Sequence, residues 1–477
     1  MGAAMSEISK KMGMLGELFD GHVDLGNDSS ARAILKLAIP SMGLFVFNSL
    51  LHLVDTIFVS WLGEFPMAAM SFTGPVNQCV FATLECVVGG AAALMGRNLG
   101  RGNLPAAQHV ARSALALLYV VCVLSIPLVI PGVSNVLFAS IGAREAGGDY
   151  LLRLCWLYNM WVPIMLPFMG FTYVVNTVFR AQGDTLTPFK AIALANTINI
   201  VLDPLFIFTF GWGIPGAAIA TWISRIASSV YLIYQMRINS SIQVSPWLFP
   251  REQLTVYWKN ILWIGIPVAL TTASIALGMG SVNRILSTFG HRAVASWMLG
   301  LRVEELAFNF VSGINAALIP YIAFNYGKRD SRRMLDGFKA AYFLAFTLMC
   351  SMGVVIYCYP WVFLSLFKPL PEIEAMATRA IRASVPAYPF GTLVTLACGF
   401  FVGTGYSIFG TITQLLRSIV FRVTAAWIFV TYFDFANIWW FQSFAAFCGS
   451  FVAFAFFCFV YRRVSQNFAK DAAAVQS

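Results

Sequence analysis

The sequence predicts an all-α integral membrane protein whose twelve transmembrane helices form two pseudo-twofold related six-helix bundles. Composition is the first reason: 59% of the 477 residues are hydrophobic and only 11% are charged. A soluble domain carries roughly 25% charged residues, so this chain could not clothe itself in water. The second reason is a dozen separate apolar runs, each long enough to cross a bilayer as a helix. The third is an internal repeat at an offset of 227 residues.

The runs lie near 34–61, 67–95, 109–139, 150–179, 188–210, 215–236, 259–288, 294–324, 337–367, 378–403, 409–432 and 438–461. The connections after helices two, four, six and eight are basic. They carry Arg97, Arg101 and Arg112, then Arg180 and Lys190, then Arg237, Arg251 and Lys259, and last Lys328, Arg329, Arg332, Arg333 and Lys339. Connections after helices one, five and eleven contain no Lys or Arg. The remaining odd ones are mixed, with Arg144 near Glu145 and Asp149, and Lys368 near Glu372 and Glu374; His291 and Arg292 are the exception. The positive-inside rule therefore places both termini in the cytoplasm of a multi-pass protein of the cell (inner) membrane.

In the repeat, Ile34-Leu35 and Ile39-Pro40 match Ile261-Leu262 and Ile266-Pro267, while Asn98 and Gly100 match Asn325 and Gly327. Six helices per unit is an even number, so both units enter the membrane in the same direction. The result is a parallel pseudo-twofold repeat. The expected organisation is a cytoplasmic tail (1–33), an N-lobe of helices one to six (34–237), a cytoplasmic linker (238–258), a C-lobe of helices seven to twelve (259–463) and a second tail (464–477).

Ionisable residues deep in spans usually face a protein interior or a watery cavity. Asp55 lies in helix one, one turn after His52, and Asp203 lies in helix five. Asn196, Asn199 and Asp203 follow at i, i+3 and i+7, on one helical face. Two carboxamides and a carboxylate suit a cation or proton site, or else a polar seam holding helices together. Pro204 removes a backbone donor at that level. Aligning Gly183 with Gly405 sets Ala425 opposite Asp203 and Phe421 opposite Asn199, so the second half lacks the constellation. A seam serving both halves equally would be repeated.

Further acids lie in spans: Glu85 in helix two, and Glu304 and Glu305 in helix eight beside Arg302. Pairing with Arg302 and a place in a substrate cavity are both open to the glutamates. His52 either shares a proton with Asp55 or is satisfied locally. The nine cysteines form no CxxC pair and read as small buried hydrophobes.

Several motifs together resemble the multidrug and toxic compound extrusion (MATE) family. They include Leu-Ala-Ile-Pro (37–40), Val-Asp-Thr-Ile-Phe-Val (54–59), Arg-Ala-Gln-Gly-Asp-Thr-x-Thr-Pro (180–188), Asn-Ile-Val-Leu-Asp-Pro-Leu-Phe-Ile-Phe (199–208) and Asn-Tyr-Gly (325–327). The resemblance runs from about 33 to 463 and is stronger in the first half. It implies a MATE-type fold and efflux of amphipathic, often cationic compounds in exchange for H+ or Na+. Within the family the N-lobe carboxylates match the DinF-like branch. That match implies a site in which Asp55, Asn199, Asp203 and Thr221 bind Na+ or organise a proton, with Asn176 and Tyr158 at the spacings of the accompanying polar residues. It also implies that Pro40 bends helix one during coupling. The carboxylates that the NorM-like branch uses in helices seven and ten are missing here.

The expected partners are small organic substrates and membrane lipids, with no nucleic acid, no cofactor beyond the coupling ion, and a monomeric assembly. A lipid-linked precursor flippase is the alternative transporter; such proteins usually have fourteen helices and a cavity arginine cluster. An embedded enzyme is the remoter alternative. Four histidines without metal spacing, and no HExxH, GxSxG or P-loop motif, argue against it.

Overall fold

The computed structural model describes residues 23–62, 64–140, 143–244, 254–289, 291–367, 370–432 and 438–476; the side chains of some helical residues, His52 and Asp55 among them, lie outside the description. Twelve of the helical segments described are long and apolar enough to cross a membrane. They are Ser30–Leu51, Phe72–Gly100, Leu104–Val129, Gly148–Ala181, Leu186–Thr209, Pro215–Asn239, Leu254–Leu286, Arg292–Gly327, Ser331–Cys358, Pro371–Thr404, Ser407–Tyr432 and Ile438–Ala473, numbered here as spans one to twelve. Their outer faces are apolar: Trp263, Leu124 and Phe343 are each more than 70% exposed, which only a hydrocarbon surround makes favourable.

By its internal contacts the chain divides into two compact units, Gly43–Gly265 and Met1–Met42 with Ile266–Ser477. The divisions fall inside the first and seventh helices, close to Pro40 and Pro267. The expected linker lies outside the described residues over 245–253. In the Gly43–Gly265 unit the core gathers Leu84, Val87, Leu118, Phe179, Leu232 and Ile261. In the other it gathers Leu37, Ile314, Tyr321, Phe400 and Phe457.

The repeat recurs in backbone detail. The second helix ends at Gly102 with φ of 72°, and the eighth ends at Arg329 with φ of 62°. Asn103 N donates to Asn98 O at 2.9 Å, and Asp330 N to Asn325 O at 3.0 Å. The next helix is then capped alike: Asn103 Oδ1 accepts from Ala106 N at 3.0 Å, and Asp330 Oδ1 from Arg333 N at 2.9 Å. All these pairs are 227 residues apart, and one turn chemistry serves both units. Arg329 adopts the left-handed conformation at a position where its counterpart is a glycine, a departure from the usual preference. Gly183 and Gly405, with φ of 87° and 73°, form a second matched pair.

Proline corrects two sequence-based boundaries and shifts the register of a third helix. The third helix, expected to reach 139, stops at Ser125 in a 3-10 turn containing Pro127, and Pro131 opens a separate helix, Pro131–Ser140. The ninth, expected to reach 367, stops at Cys358 because Pro360 starts a new short helix. The fifth span passes from α-helix to a π-helical turn, Leu205–Thr209, directly after Pro204. Pro204 cannot donate, and the ladder shifts register so that Phe210 N reaches Leu205 O at 2.9 Å.

Candidate functional site

The centre of the Gly43–Gly265 unit is built on helix Leu186–Pro204, which Asp184 starts by accepting from Thr187 N at 2.9 Å. Its polar stripe is wholly interior: Asn196, Asn199 and Asp203 are at most 1% exposed. The three do different work. Asn196 Nδ2 donates to the Phe47 carbonyl at 3.1 Å and so ties the fifth helix to the first. Asn199 Nδ2 donates to Asp203 Oδ1 at 3.0 Å and approaches Thr221 Oγ1 at 3.4 Å. Thr221 belongs to helix Ile214–Asn239 and donates to Ala217 O at 3.1 Å. Its oxygen lone pairs therefore remain directed at the carboxamide. The structure thus brings Asp203, Asn199 and Thr221 together from two neighbouring helices.

Two carboxamide oxygens of the same unit are also buried. Asn199 Oδ1 and, in the fourth span, Asn176 Oδ1 are buried acceptors without a hydrogen-bond partner among the described residues. A carboxylate, a hydroxyl and carboxamide oxygens are hard donors that fit a proton or Na+. Beside the cluster lies a cavity of about 140 Å³, which Thr221 shares with Tyr158, Asn77, Arg225 and a majority of apolar residues. The predicted Tyr158 thus reaches the cavity wall, and Thr221 connects cavity to carboxylate. Pro40 is buried within the first helix, which continues through it. Asp55 and His52 lie outside the described side chains.

Glu85 is exposed on the second helix and does not line this cavity. Glu304 and Glu305 belong to the other unit, and the structure separates these neighbours. Glu305 pairs with Arg302 at 3.0 Å, with both side chains about 60% exposed. Glu304 is partly buried and accepts from Gln442 Nε2 at 3.1 and 3.2 Å. Gln442 and the cavity residues Arg225 and Asn77 were missed from the sequence. Arg225 carried a usable signal, a cation in mid-span four residues after Thr221.

Paired six-helix units, with a buried carboxylate site on a register-shifted helix, define a class of multi-pass transporter. The chain belongs to the MatE family: the family profile matches residues 40–205 and again 267–428, two matches starting 227 residues apart. Members of that family are transporters rather than enzymes. Over 77% of its length the chain is 28% identical to a FAD transporter of Shewanella oneidensis, covering 81% of that protein. It is 25% identical to the multidrug export protein MepA of Staphylococcus aureus over 82% of its length and 85% of that protein. A structure described as the outward-facing conformation of a multidrug resistance MATE family transporter of the MOP superfamily superposes with a TM-score of 0.86. That likeness covers 93% of this chain and 98% of that one at 24% identity, and shows the fold.

Proposed function

We propose that this MatE-family protein is a secondary active antiporter of the DinF-like branch. It exports amphipathic, often cationic organic compounds by alternating access, in exchange for H+ or Na+. The observation that carries the reading is the buried Asp203–Asn199–Thr221 cluster beside a cavity in one unit. A carboxylate that is charged in one conformation and neutralised by a cation in the other gives the two conformations different free energies. A difference of about 2.8 kcal/mol shifts their populations about a hundredfold. Asp55 is proposed as the second carboxylate, Asn176 and Tyr158 as orienting groups, and Pro40 as the hinge. The protein acts as a monomer in the cell membrane with both termini cytoplasmic. The likeness to MepA, a multidrug export protein, supports the substrate class.

A second reading, export of organic anions, is favoured by two arginines facing a single carboxylate in the C-terminal unit and by the FAD transporter among the relatives. The test uses purified protein in proteoliposomes, with a pH gradient or a sodium gradient imposed one at a time. Efflux of a cationic dye under one of them supports antiport. Efflux that ignores both gradients contradicts it.

A further inference from the structure

Span eleven carries two arginines into the membrane interior of the unit formed by Met1–Met42 and Ile266–Ser477. Arg417 lies in the π-helical turn Leu416–Phe421, and Arg422 follows directly. They are 8% and 5% exposed, and the Nε of each is buried without a hydrogen-bond partner among the described residues. The neighbouring helices leave room for the first of them. A Cβ on Gly449 would press on the Arg417 stem at 3.0 Å, and one on Gly391 would sit 3.7 Å from its Nη2.

The field of both guanidinium groups falls on one acid, Glu304. Its hydrogen bonds, however, come from the Gln442 amide rather than from either arginine. The adjacent Glu305 is taken by Arg302 at the exposed surface. Among the described residues the cluster therefore holds two fixed positive charges against one negative. Guanidinium does not deprotonate at physiological pH, so titration cannot remove the excess, and protonating Glu304 would enlarge it. The phenolic hydroxyl of Tyr388, which lies within Glu304's field, is also buried and without a hydrogen-bond partner among the described residues. Uncompensated charge inside a span is costly and marks a place where a partner is received. Because Glu304 is only partly buried, the cluster reaches an accessible surface of the unit.

We propose that Arg417 and Arg422 form an anion site that receives a phosphate or carboxylate carried by an amphipathic molecule. The source is either the transported compound, in which case the inference rests on the organic-anion reading above, or a lipid headgroup. Two planar forks offer paired donors to such a group, with the Tyr388 hydroxyl as a third donor.

The test measures binding to the full-length protein in phosphatidylcholine nanodiscs by fluorescence titration, with riboflavin 5′-phosphate and uncharged riboflavin as matched probes. The wild type should prefer the phosphate by about tenfold or more, the scale of charge-assisted hydrogen bonds. Arg417→Gln and Arg422→Gln should each abolish the preference without changing riboflavin affinity. Where a Gln variant fails to fold, Arg422→Lys serves instead: it keeps the charge, loses the fork, and should lose part of the preference. In a second arm, phosphatidylglycerol retained by wild type but not by the variants, and displacing the probe, identifies the headgroup as the anion. If neither the phosphate probe nor phosphatidylglycerol distinguishes wild type from the variants, the proposal is overturned. No gradient is applied, so this result is independent of the efflux assay.

Discussion

Thr221 belongs both to the cavity wall and to the carboxylate cluster, and its hydroxyl is the second acceptor for Asn199. Thr221→Val keeps shape and volume but removes that oxygen. We expect gradient-driven efflux to fall several-fold, roughly the worth of one hydrogen bond of about 1 kcal/mol, with monodispersity unchanged. Unaltered efflux would remove Thr221 from the site. At this scale the sequence was informative where chemistry and spacing agreed. Asn196, Asn199 and Asp203 share a face by periodicity alone, and that face is interior. Their division of labour was not legible. Asn196 serves a backbone carbonyl 149 residues away, and such a partner is set by tertiary packing. Gln442 was hidden for the same reason, since its partner Glu304 lies 138 residues earlier.

Helices in a bilayer associate through close packing rather than through a hydrophobic force, so a glycine can decide an interface. A Cβ on Gly90 would collide with the backbone carbonyl of Ile261, which no side-chain adjustment relieves. Gly90→Ala should destabilise the Gly43–Gly265 unit by about 1–3 kcal/mol, seen as a lower melting temperature in detergent. An unchanged melting temperature would show that the helices yield there. The segment before the first span makes a pH-dependent prediction. Asp24 accepts from Gly26 N at 2.9 Å and from Asn27, which holds its carboxyl below the usual 3.8. A lowered folded-state pKa means that the stabilisation is present above 3.8 and is lost as pH falls through the folded value. Protection of the Gly26 and Asn27 amides, measured against the intrinsic exchange rate at each pH, should therefore be present at neutral pH and fall away below about pH 4. In Asp24→Ala that protection should be missing throughout. Helix number and the repeat were legible because hydropathy and turn chemistry are local. The breaks at Pro127 and Pro360 were overrun because the apolar run continues across each of them.

The whole molecule is a doubled six-helix unit whose halves share their turns but not their charged interiors. One half holds Asp203 with its carboxamide, and the other holds Arg417 and Arg422 facing Glu304. Arg292, in the connection that departs from the loop-charge bias, pairs with Glu372 at the start of span ten. With Cys79 and Cys358 replaced by Ser, we expect Trp212→Cys to react with an impermeant maleimide from outside the cell. Arg332→Cys should react only after permeabilisation, and the reverse pattern would invert the topology. The central claim, that Asp203 couples cation movement to export, is tested most directly by Asp203→Asn in proteoliposomes, assayed for both gradient-driven efflux and gradient-free substrate exchange. The account predicts that exchange persists while gradient-driven efflux falls at least about tenfold, equivalent to about 1.4 kcal/mol of lost coupling. Wild-type gradient-driven efflux in Asp203→Asn would contradict it.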